Sequence, residues 1–540
     1  MNDRFCNDQH EGAGADGKDP RMSFDCVGNR SLVRAIEFNR AWIPDRTFLE
    51  FRGRSLSHGD FGRMVARAAN GLVRLGVRAG DRVLVQMANC SEHLVAIFAT
   101  QRIGAINVTC STLFKLDETA YQLRDSGATT IVCGAEFVDL ARAAADAVPQ
   151  PVRILVADHG LLDAGEAPFN KLLHEAADRV GVPFPAADDV AMLVYTSGTT
   201  GRPKGVIYTH GNLVHGGQNS VIALGYRPEE RLLHFFPFYH NNGGVILLAP
   251  VILTGCCIVM IDRFSASRFG AQLVEHAITL TALNATHIKM ILAHPVLDED
   301  RAHRVARVQF ALPLDHARRE AFKDRFCGIR LVEVYGQTET CGIVLAVPEG
   351  PLWKPGSAGL PLPGIEMNVT DDDGRTLGTG AAGELCLRSL SRHALTPGYY
   401  NSPDLTRDLY RDGWLRTGDV AIVDDDGYMT YLDRKKDLIK RSGINVAAAE
   451  VERVMLEVPG VVDAAVVGIP DEFRDEKIIG FVVLAPGTAA SLDDVARHCR
   501  KALADYKVPE RFEQLEALPE NFLGKVEKKV LRERAAHLFG

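Results

Sequence analysis

The sequence predicts an α/β protein: a large N-terminal domain of doubly wound sheets with a small β-barrel-like subdomain, then a small α+β C-terminal domain. Short apolar runs alternate with helix-like runs through the first half, a pattern typical of parallel sheets covered by helices on both faces. After about residue 355, Gly, Pro and Asp become dense, and near 433–437 a charged run precedes a new mixed unit. These three observations set the predicted architecture.

The alternating half begins with a predicted strand, Arg82–Met87, and the helix after it, Ser91–Ile103. Ligands of such sheets collect at the carboxyl ends of strands. Gly243–Ile261 is the longest apolar stretch, but Pro250 and Gly255 interrupt it, so it predicts a buried helix and a buried strand rather than a membrane span. The further predicted strands are Thr130–Cys133, Val152–Ala157, Val190–Val194, Ile258–Ile261 and Thr281–Asn284.

The turn-rich section, 355–432, predicts an antiparallel or barrel-like subdomain. Its acidic triplets, 371–373 and 424–426, are each followed by Gly and could suggest metal sites, but Asp/Gly clusters between apolar runs predict hairpin turns. The last unit predicts helices at Ala447–Leu456 and Leu492–Leu503 and strands at Val461–Ile469 and Lys477–Val483. The predicted division is a disordered lead-in (1–21), a large domain (22–432), a hinge (433–437) and a small domain (438–540).

Composition excludes several classes of protein. The 540 residues carry a net charge of −8, which argues against nucleic-acid binding. Eleven cysteines are scattered without a Cys-x-x-Cys pair, so reduced thiols in the cytoplasm are expected and a zinc site has little support. The polar N-terminus lacks an apolar signal core, and we expect a cytoplasmic protein without a transmembrane segment. A homodimer is the commonest assembly.

Residues 195–205, Tyr-Thr-Ser-Gly-Thr-Thr-Gly-Arg-Pro-Lys-Gly, follow a predicted strand. Hydroxyls, loop amides and the charge of Lys204 can hold phosphate oxygens, while glycines let the backbone approach a ligand. The run lacks the Gly-Lys-Ser/Thr ending of the common P-loop; a flexible surface loop is the alternative. The candidate phosphate-binding residues are Thr196, Ser197, Gly198, Thr199, Thr200, Gly201 and Lys204.

Two further runs suit a nucleotide. In Tyr335–Glu339 (Tyr-Gly-Gln-Thr-Glu), an aromatic residue before Gly can lie against a base, Thr338 can donate to a phosphate, and Glu339 can hold Mg²⁺. Trp414–Asp419 is expected to end in a loop before a strand, where Asp419 could accept hydrogen bonds from ribose hydroxyls. An Asp that caps a turn is the alternative.

These ordered runs resemble the motifs of the adenylate-forming superfamily, which includes acyl-CoA synthetases, peptide-synthetase adenylation domains and beetle luciferases. The resemblance implies that ATP activates a carboxylic acid as acyl-AMP with release of pyrophosphate, and that the acyl group then passes to CoA with release of AMP. It implies a magnesium site at Thr196 and Glu339. The nucleotide contacts that it implies are Ala311, Leu312, Tyr335, Gly336, Gln337, Thr338, Asp419 and Arg434.

The remaining roles rest on the resemblance. It implies that Lys525 acts in adenylation, that Gly443 lets pantetheine pass, and that the small domain rotates between the two steps. His240 would gate or line the acyl pocket, although a core histidine is the alternative. At 310–311, Phe-Ala replaces a glycine pair common in relatives, which implies bulkier side chains near adenine.

The segments Ala311–Glu339 and Arg474–Lys477 look most like the crotonobetaine/carnitine-CoA ligase branch. Neither segment defines acyl selectivity, so the carboxylic acid stays open. An acyl-AMP ligase that loads a carrier-protein phosphopantetheine is the close alternative. A luciferase-type oxygenase, a catalytically silent nucleotide-binding protein and a P-loop ATPase are further alternatives, and the last lacks its motif.

Overall fold

The computed structural model describes residues 31–157, 166–175, 177–196, 203–311, 314, 316–348, 354, 356–441, 444–471, 473–520 and 526–539. The helices in this part of the chain are α1 Leu32–Trp42, α2 His58–Arg74, α3 Ser91–Arg102, α4 Leu116–Ser126, α5 Val138–Asp146, α6 Phe169–Glu175, α7 His210–Leu224, α8 Leu248–Thr254, α9 Phe269–Glu275, α10 Ala285–Leu292, α11 Glu299–Ala302, α12 His316–Arg325, α13 Pro403–Leu409, α14 Ala448–Leu456, α15 Leu492–Ala502 and α16 Lys528–Phe539.

The strands are β1 Thr47–Phe51, β2 Arg54–Ser57, β3 Arg82–Gln86, β4 Ile106–Thr109, β5 Thr130–Gly134, β6 Arg153–Ala157, β7 Glu166–Pro168, β8 Val190–Thr196, β9 Lys204–Thr209, β10 Arg231–His234, β11 Cys257–Met260, β12 Leu280–Asn284, β13 Arg307–Ala311, β14 Arg330–Tyr335, β15 Leu345–Ala346, β16 Leu360–Pro361, β17 Ile365–Thr370, β18 Ala382–Ser389, β19 Tyr410–Arg411, β20 Trp414–Val423, β21 Met429–Arg434, β22 Ile439–Arg441, β23 Ile444–Val446, β24 Val461–Asp471, β25 Asp475–Leu484 and β26 Arg511–Leu515.

Two large sheets form the N-terminal part. Within the described residues, one has seven strands in the order β7-β6-β5-β3-β4-β8-β9, and the other has nine in the order β16-β15-β14-β13-β12-β10-β11-β1-β2. Their central strands are parallel, and β4, β5 and β11 are buried along their whole length. One apolar core joins both sheets. The predicted α/β fold class with parallel sheets is therefore confirmed. The short apolar runs form strands, and helices cover the sheets that these strands build.

The turn-rich section forms an antiparallel sheet in the order β17-β18-β20-β19, with β21 paired to β20. Both acidic triplets are hairpin turns, as predicted. Gly374 N–H donates to Asp371 O at 3.1 Å and Gly427 N–H to Asp424 O at 2.9 Å, and both glycines have φ near +85° (+86° and +84°), which glycine adopts without steric cost.

One local expectation is wrong. The run Trp414–Asp419 does not end in a loop before a strand; it lies inside the ten-residue strand β20. Gly418 has a positive φ of +69°, and the pairing of β20 with β18 shifts register beside it, between Glu384 and Cys386. This irregularity interrupts the alternation of buried and exposed residues along the strand, and for that reason the sequence pattern predicts a loop here.

The C-terminal part builds a mixed sheet in the order β23-β22-β25-β24, with β26 parallel to β25. Helices α14 and α15 pack on one face around Val451, Val454 and Val495, which are buried. Ser491 caps α15 by accepting a hydrogen bond from Asp494 N–H, and the Asp494 side chain returns the contact. The two helices and two strands predicted for this unit are present within two residues of their expected ends.

The apolar stretch 243–261 contains a helix and a strand, as predicted. A π-helical turn, Asn242–Leu247, leads into α8, and β11 follows. The wide turn needs its glycines, because a Cβ on Gly244 would lie 2.1 Å from Phe238 O. No helix in the described part of the chain is long and apolar enough to cross a membrane.

Candidate active site

The proposed phosphate loop joins two antiparallel strands at the edge of the seven-stranded sheet. Thr196 and Lys204 are cross-strand partners at the ends of β8 and β9, so they stand side by side at the base of the loop. Tyr195 Oη donates to Asp125 Oδ2 at 2.7 Å, and Tyr121 Oη donates to Pro203 O at 3.1 Å. Both ends of the loop are thus anchored to α4, while residues 197–202 lie outside the described part of the chain.

Glu339 lies on a short 3₁₀ turn directly after β14. Tyr399 Oη donates to Glu339 Oε1 at 2.8 Å, and the Lys204 ammonium lies 5.4 Å from the centre of the Tyr399 ring. Burial and the charge of Glu339 raise the pKa of Tyr399, so this phenol stays protonated and keeps donating. One aromatic ring therefore links the carboxylate to the lysine of the phosphate loop.

The backbone around Glu339 is held by two contacts from other elements. Thr396 N–H donates to Glu339 O at 3.2 Å, and Tyr208 Oη, on β9, donates to Thr338 O at 2.6 Å. The 3₁₀ turn is consequently tied to the strand that begins with Lys204. This arrangement fixes the distance between the two motifs without any ligand.

Asp419 is a buried carboxylate, 2% exposed, at the centre of a polar cluster. Tyr335 Oη donates to Asp419 Oδ2 at 2.5 Å, and Arg434 Nε lies 2.8 Å from Asp419 Oδ1. Asp419 and Arg434 are direct cross-strand partners on β20 and β21. The pair therefore compensates for the burial of the charge, as a carboxylate in such a place requires.

The pKa directions agree with this geometry. Burial alone would lower the pKa of Arg434, but the negative charge of Asp419 raises it overall. Burial and the same carboxylate raise the pKa of Tyr335 well above its usual value. The cluster thus holds a charged arginine and a neutral phenol against the carboxylate across the physiological pH range.

The segment between Tyr335 and Glu339 is packed tightly on both sides. A Cβ on Gly336 would lie 2.3 Å from Gly342 O, a backbone atom. The Gln337 side chain donates to Thr417 O at 3.3 Å, and Asn241 Nδ2 donates to Gln337 O at 3.2 Å. Gly336 is therefore required for close approach of two backbone segments.

His240 follows the predicted acyl-side aromatic run and is partly exposed. Its Nδ1 accepts from Asn242 N–H at 3.3 Å, and burial lowers its pKa to about 4. The neutral ring therefore carries its proton on Nε2. His234, just before the aromatic run, is fully buried and stacks on Phe238 with ring centres 4.7 Å apart.

The same aromatic run meets α10. Phe235 and Phe236 stack at 4.7 Å, and each meets the edge of His287, at 5.1 and 5.4 Å. Burial lowers the pKa of His287 to about 4. These rings lie at the carboxyl ends of β10 and β12, where the sequence predicts ligand binding.

The predicted adenine segment differs in part from expectation. Ala311 is the last residue of β13 and pairs with Asn284. Phe310 is fully buried and belongs to the core between the sheets. The bulk that replaces the first glycine therefore points away from the partly exposed side of the strand, and only the methyl group of Ala311 remains there.

The structure brings together Tyr335, Asp419 and Arg434, and separately Glu339 with Lys204, through contacts that the sequence could not show. Four residues of the site lie outside the predicted motifs: Tyr399, Tyr208, Thr417 and Asn241. The turn signal Pro397-Gly398 before two tyrosines could have marked the first. Other predicted site residues lie outside the described residues: Ser197, Gly198, Thr199, Thr200, Gly201, Leu312, Gly443 and Lys525.

Comparison with known proteins decides the family. The sequence profile described as AMP-binding enzyme matches residues 38–400, and the profile described as AMP-binding enzyme C-terminal domain matches residues 450–525. The chain belongs to the AMP-binding enzyme family. Within this family, the chain is similar to the crotonobetaine/carnitine–CoA ligase branch along nearly its whole length. The crotonobetaine/carnitine–CoA ligase of Salmonella typhi is 32% identical over 517 residues, which cover 94% of this chain and 100% of the relative.

Solved AMP-binding enzymes share the fold. ATP-bound MatB from Rhodopseudomonas palustris superposes with a TM-score of 0.87 at 28% identity, covering 95% of this chain and 100% of that one. The Bacillus subtilis o-succinylbenzoate CoA synthetase MenE, in complex with its acyl-adenylate intermediate, gives 0.80 at 26% identity, covering 92% and 97%. This AMP-binding enzyme is an AMP-forming acyl-CoA ligase that uses ATP and CoA, as the sequence predicts.

Proposed function

We propose that Asp419 and Arg434 bind the ribose of ATP, and that Lys204 and Glu339 act on its phosphates, while the ligase activates a small-molecule carboxylic acid. The observation that carries the proposal is the buried carboxylate of Asp419, held by Tyr335 at 2.5 Å and by Arg434 at 2.8 Å. A buried charge is costly unless it is paired and hydrogen-bonded, as that of Asp419 is. Two adjacent hydroxyls are donors that this carboxylate suits.

The chemistry of the carboxylate suits such a ligand. An ionised carboxylate offers about four lone-pair sites. Among the described residues, Tyr335 fills one site on Oδ2 and the Arg434 guanidinium faces Oδ1. Arg434 keeps Asp419 ionised, and an ionised carboxylate is an acceptor that suits vicinal hydroxyl donors.

We propose that Glu339 and Thr196 hold Mg²⁺ beside the phosphates. The donor set fits, because Mg²⁺ in nucleotide sites uses one or two protein oxygens together with phosphate oxygens and waters. Glu339 Oε1 is held by Tyr399, and Oε2 has no hydrogen bond within the described part of the chain. A bound Mg²⁺ would neutralise charge on the phosphate oxygens.

The residues of the chain then position the substrates and neutralise negative charge on the phosphates. Thr196 and Lys204 flank the loop whose predicted phosphate ligands are Ser197, Gly198, Thr199, Thr200 and Gly201, and Lys204 supplies positive charge where pyrophosphate departs. Attack by a carboxylate oxygen on the α-phosphate forms the acyl-AMP anhydride and releases pyrophosphate. No covalent enzyme intermediate is needed, so orientation carries much of the acceleration.

We assign the remaining roles by motif. Ala311, Leu312, Gly336, Gln337 and Thr338 would contact the nucleotide, His240 would border the acyl group as a neutral Nε2–H donor, and Lys525 would join the adenylation step. A hinge at 433–437 would let the small domain exchange the Lys525 segment for the Gly443 segment, which admits the thiol of CoA. Thiolate attack on the acyl carbonyl then expels AMP.

The site is tested with Asp419→Asn, which keeps the shape but removes the charge. We expect the KM for ATP to rise by about tenfold or more, because a hydrogen bond to a charged group contributes about 1.5–3 kcal/mol. AMP release is measured over a panel of acids with CoA. Asp404→Asn is the control, since Asp404 is an exposed carboxylate that pairs only with Arg407 in the described structure.

Two outcomes would overturn these assignments. An unchanged KM for ATP in Asp419→Asn would remove Asp419 from the ribose site. Thioester formation with a phosphopantetheinylated carrier protein, and none with free CoA, would replace CoA as the acceptor.

A further inference from the structure

Two helices beside the site hold the first residues of β24, the longest strand of the C-terminal sheet. Lys289, on α10, places its Nζ 2.7 Å from Asp463 Oδ1. Arg318, on α12, donates to Val462 O at 3.1 Å. Both contacts join the nine-stranded-sheet region to the C-terminal region, so they depend on how the two parts are oriented.

A second carboxylate shares this place. Burial and the negative charge of Asp463 raise the pKa of Glu520, while the positive charge of Lys289 opposes the rise. Glu520 forms an antiparallel bridge with Val526, and Glu527 N–H donates to Pro519 O at 2.7 Å. The cation of Lys289 is therefore paired with Asp463, and its charge also acts on Glu520, one of the two bridged residues.

We propose that Lys289 is a positioning residue that docks the C-terminal sheet and the Glu520–Val526 bridge onto α10 for the adenylation step. This inference rests on the proposed function, because Lys525 lies between the two bridged residues in sequence. Lys289 contacts Asp463 rather than any reacting atom, and it acts through the C-terminal sheet to which Asp463 belongs. Without its charge, the two carboxylates repel each other at the docked interface.

The effect is confined to one orientation of the two parts. Lys289 and Asp463 are partly buried, with side chains 30% and 21% exposed, so the pair is screened less than a surface pair. Rotation about the proposed hinge separates α10 from β24 and breaks it. Loss of the pair therefore weakens the docked arrangement and leaves the rotated one unchanged.

The test compares half-reactions in Lys289→Met. We expect ATP–pyrophosphate exchange to fall about fivefold, which is the effect of one partly buried ion pair, while thioester formation from supplied acyl-AMP and CoA is retained. Lys289→Arg keeps the charge and should restore exchange. The double variant Lys289→Asp with Asp463→Lys should restore it in part, because the pair is re-formed with reversed charges.

Lys323→Met is the matched control. Lys323 lies on α12, and its pair with Glu320 within the same helix, with side chains 32% and 38% exposed, does not cross between the two parts. We expect both half-reactions of this variant to stay unchanged. Equal loss of both half-reactions in Lys289→Met, or a charge-reversed pair no better than the single variants, would overturn the proposal.

An independent measurement separates this inference from the proposed function. Amide hydrogen exchange at the start of β24 and in α10 should speed up in Lys289→Met and not in Lys323→Met, whether or not the acid substrate is known. Unchanged exchange there would refute the docking role by itself. Absence of AMP release by the wild-type enzyme with every acid would instead refute the assignment of the site.

Discussion

Replacing Tyr335 by Phe removes one oxygen atom from the interior and leaves the ring in place. The lost atom is the donor to Asp419 Oδ2 at 2.5 Å. Tyr335 is 9% exposed and Asp419 is 2% exposed, so water cannot readily replace the phenol. The substitution therefore isolates one charge-assisted hydrogen bond in a buried site.

The expected cost follows from that burial. A hydrogen bond to a charged group contributes about 1.5–3 kcal/mol, and Arg434 remains to neutralise part of the carboxylate charge. We therefore expect the free energy of unfolding to fall by about 2 kcal/mol. The affinity for ATP should fall as well, because the carboxylate loses the contact that fixes its orientation.

The assay is urea unfolding of the ligand-free enzyme together with calorimetric titration of ATP. Tyr226→Phe is the matched control, since Tyr226 is 4% exposed and its hydroxyl has no hydrogen-bond partner in the described structure. Its loss should change neither quantity appreciably. If Tyr335→Phe were as stable as Tyr226→Phe and bound ATP equally well, the interpretation of the Asp419 cluster would be wrong.

Two further predictions concern packing and pH. Gly336→Ala places a methyl group 2.3 Å from Gly342 O, so backbone must move; we expect a stability loss of about 1–3 kcal/mol and weaker ATP binding, and unaltered thermal unfolding would contradict the close approach. For pH, folded histidines with pKa values lowered to about 4 stay neutral while unfolded ones gain protons below about pH 6.5. The stabilising effect of these neutral histidines should therefore be fully present above that pH and should fall towards pH 4, by up to about 1.4 kcal/mol per pH unit for each histidine. Urea midpoints at about pH 7 and about pH 5 check this, and equal midpoints would exclude it. The histidines with this shift are His58, His93, His210, His234, His240 and His287.

Much of the fold could be predicted because its strands are simple apolar runs. β3 and β5 are short, buried and separated by helices, so alternation alone indicates a parallel sheet. The first half of β20 was not predicted as a strand, because Gly418 and a shift of register break its alternating pattern. A register irregularity is set by the partner strand, which a local pattern cannot show.

The site was predictable as motifs and unpredictable as contacts. Tyr335, Glu339 and Asp419 each stand in a run whose chemistry suggests a nucleotide. The link between Tyr399 and Glu339 joins residues 60 positions apart, and that between Tyr208 and Thr338 joins residues 130 apart. Such pairs arise from the meeting of separate sheets, for which one sequence carries no local signal.

The pairing of Asp419 with Arg434 has a consequence for energy transduction. Arg434 ends β21, and the 3₁₀ turn Lys435–Asp437 begins at the next residue. If the ribose binds Arg434, this residue takes part both in nucleotide binding and in the conformation of the proposed hinge, 433–437. Thermodynamic reciprocity then applies to the two events. If the nucleotide shifts the conformational equilibrium of the hinge by some factor, then fixing the hinge changes the affinity for the nucleotide by the same factor. In an enzyme cross-linked in one orientation, the affinity for AMP would therefore measure the free energy that nucleotide binding contributes to domain rotation.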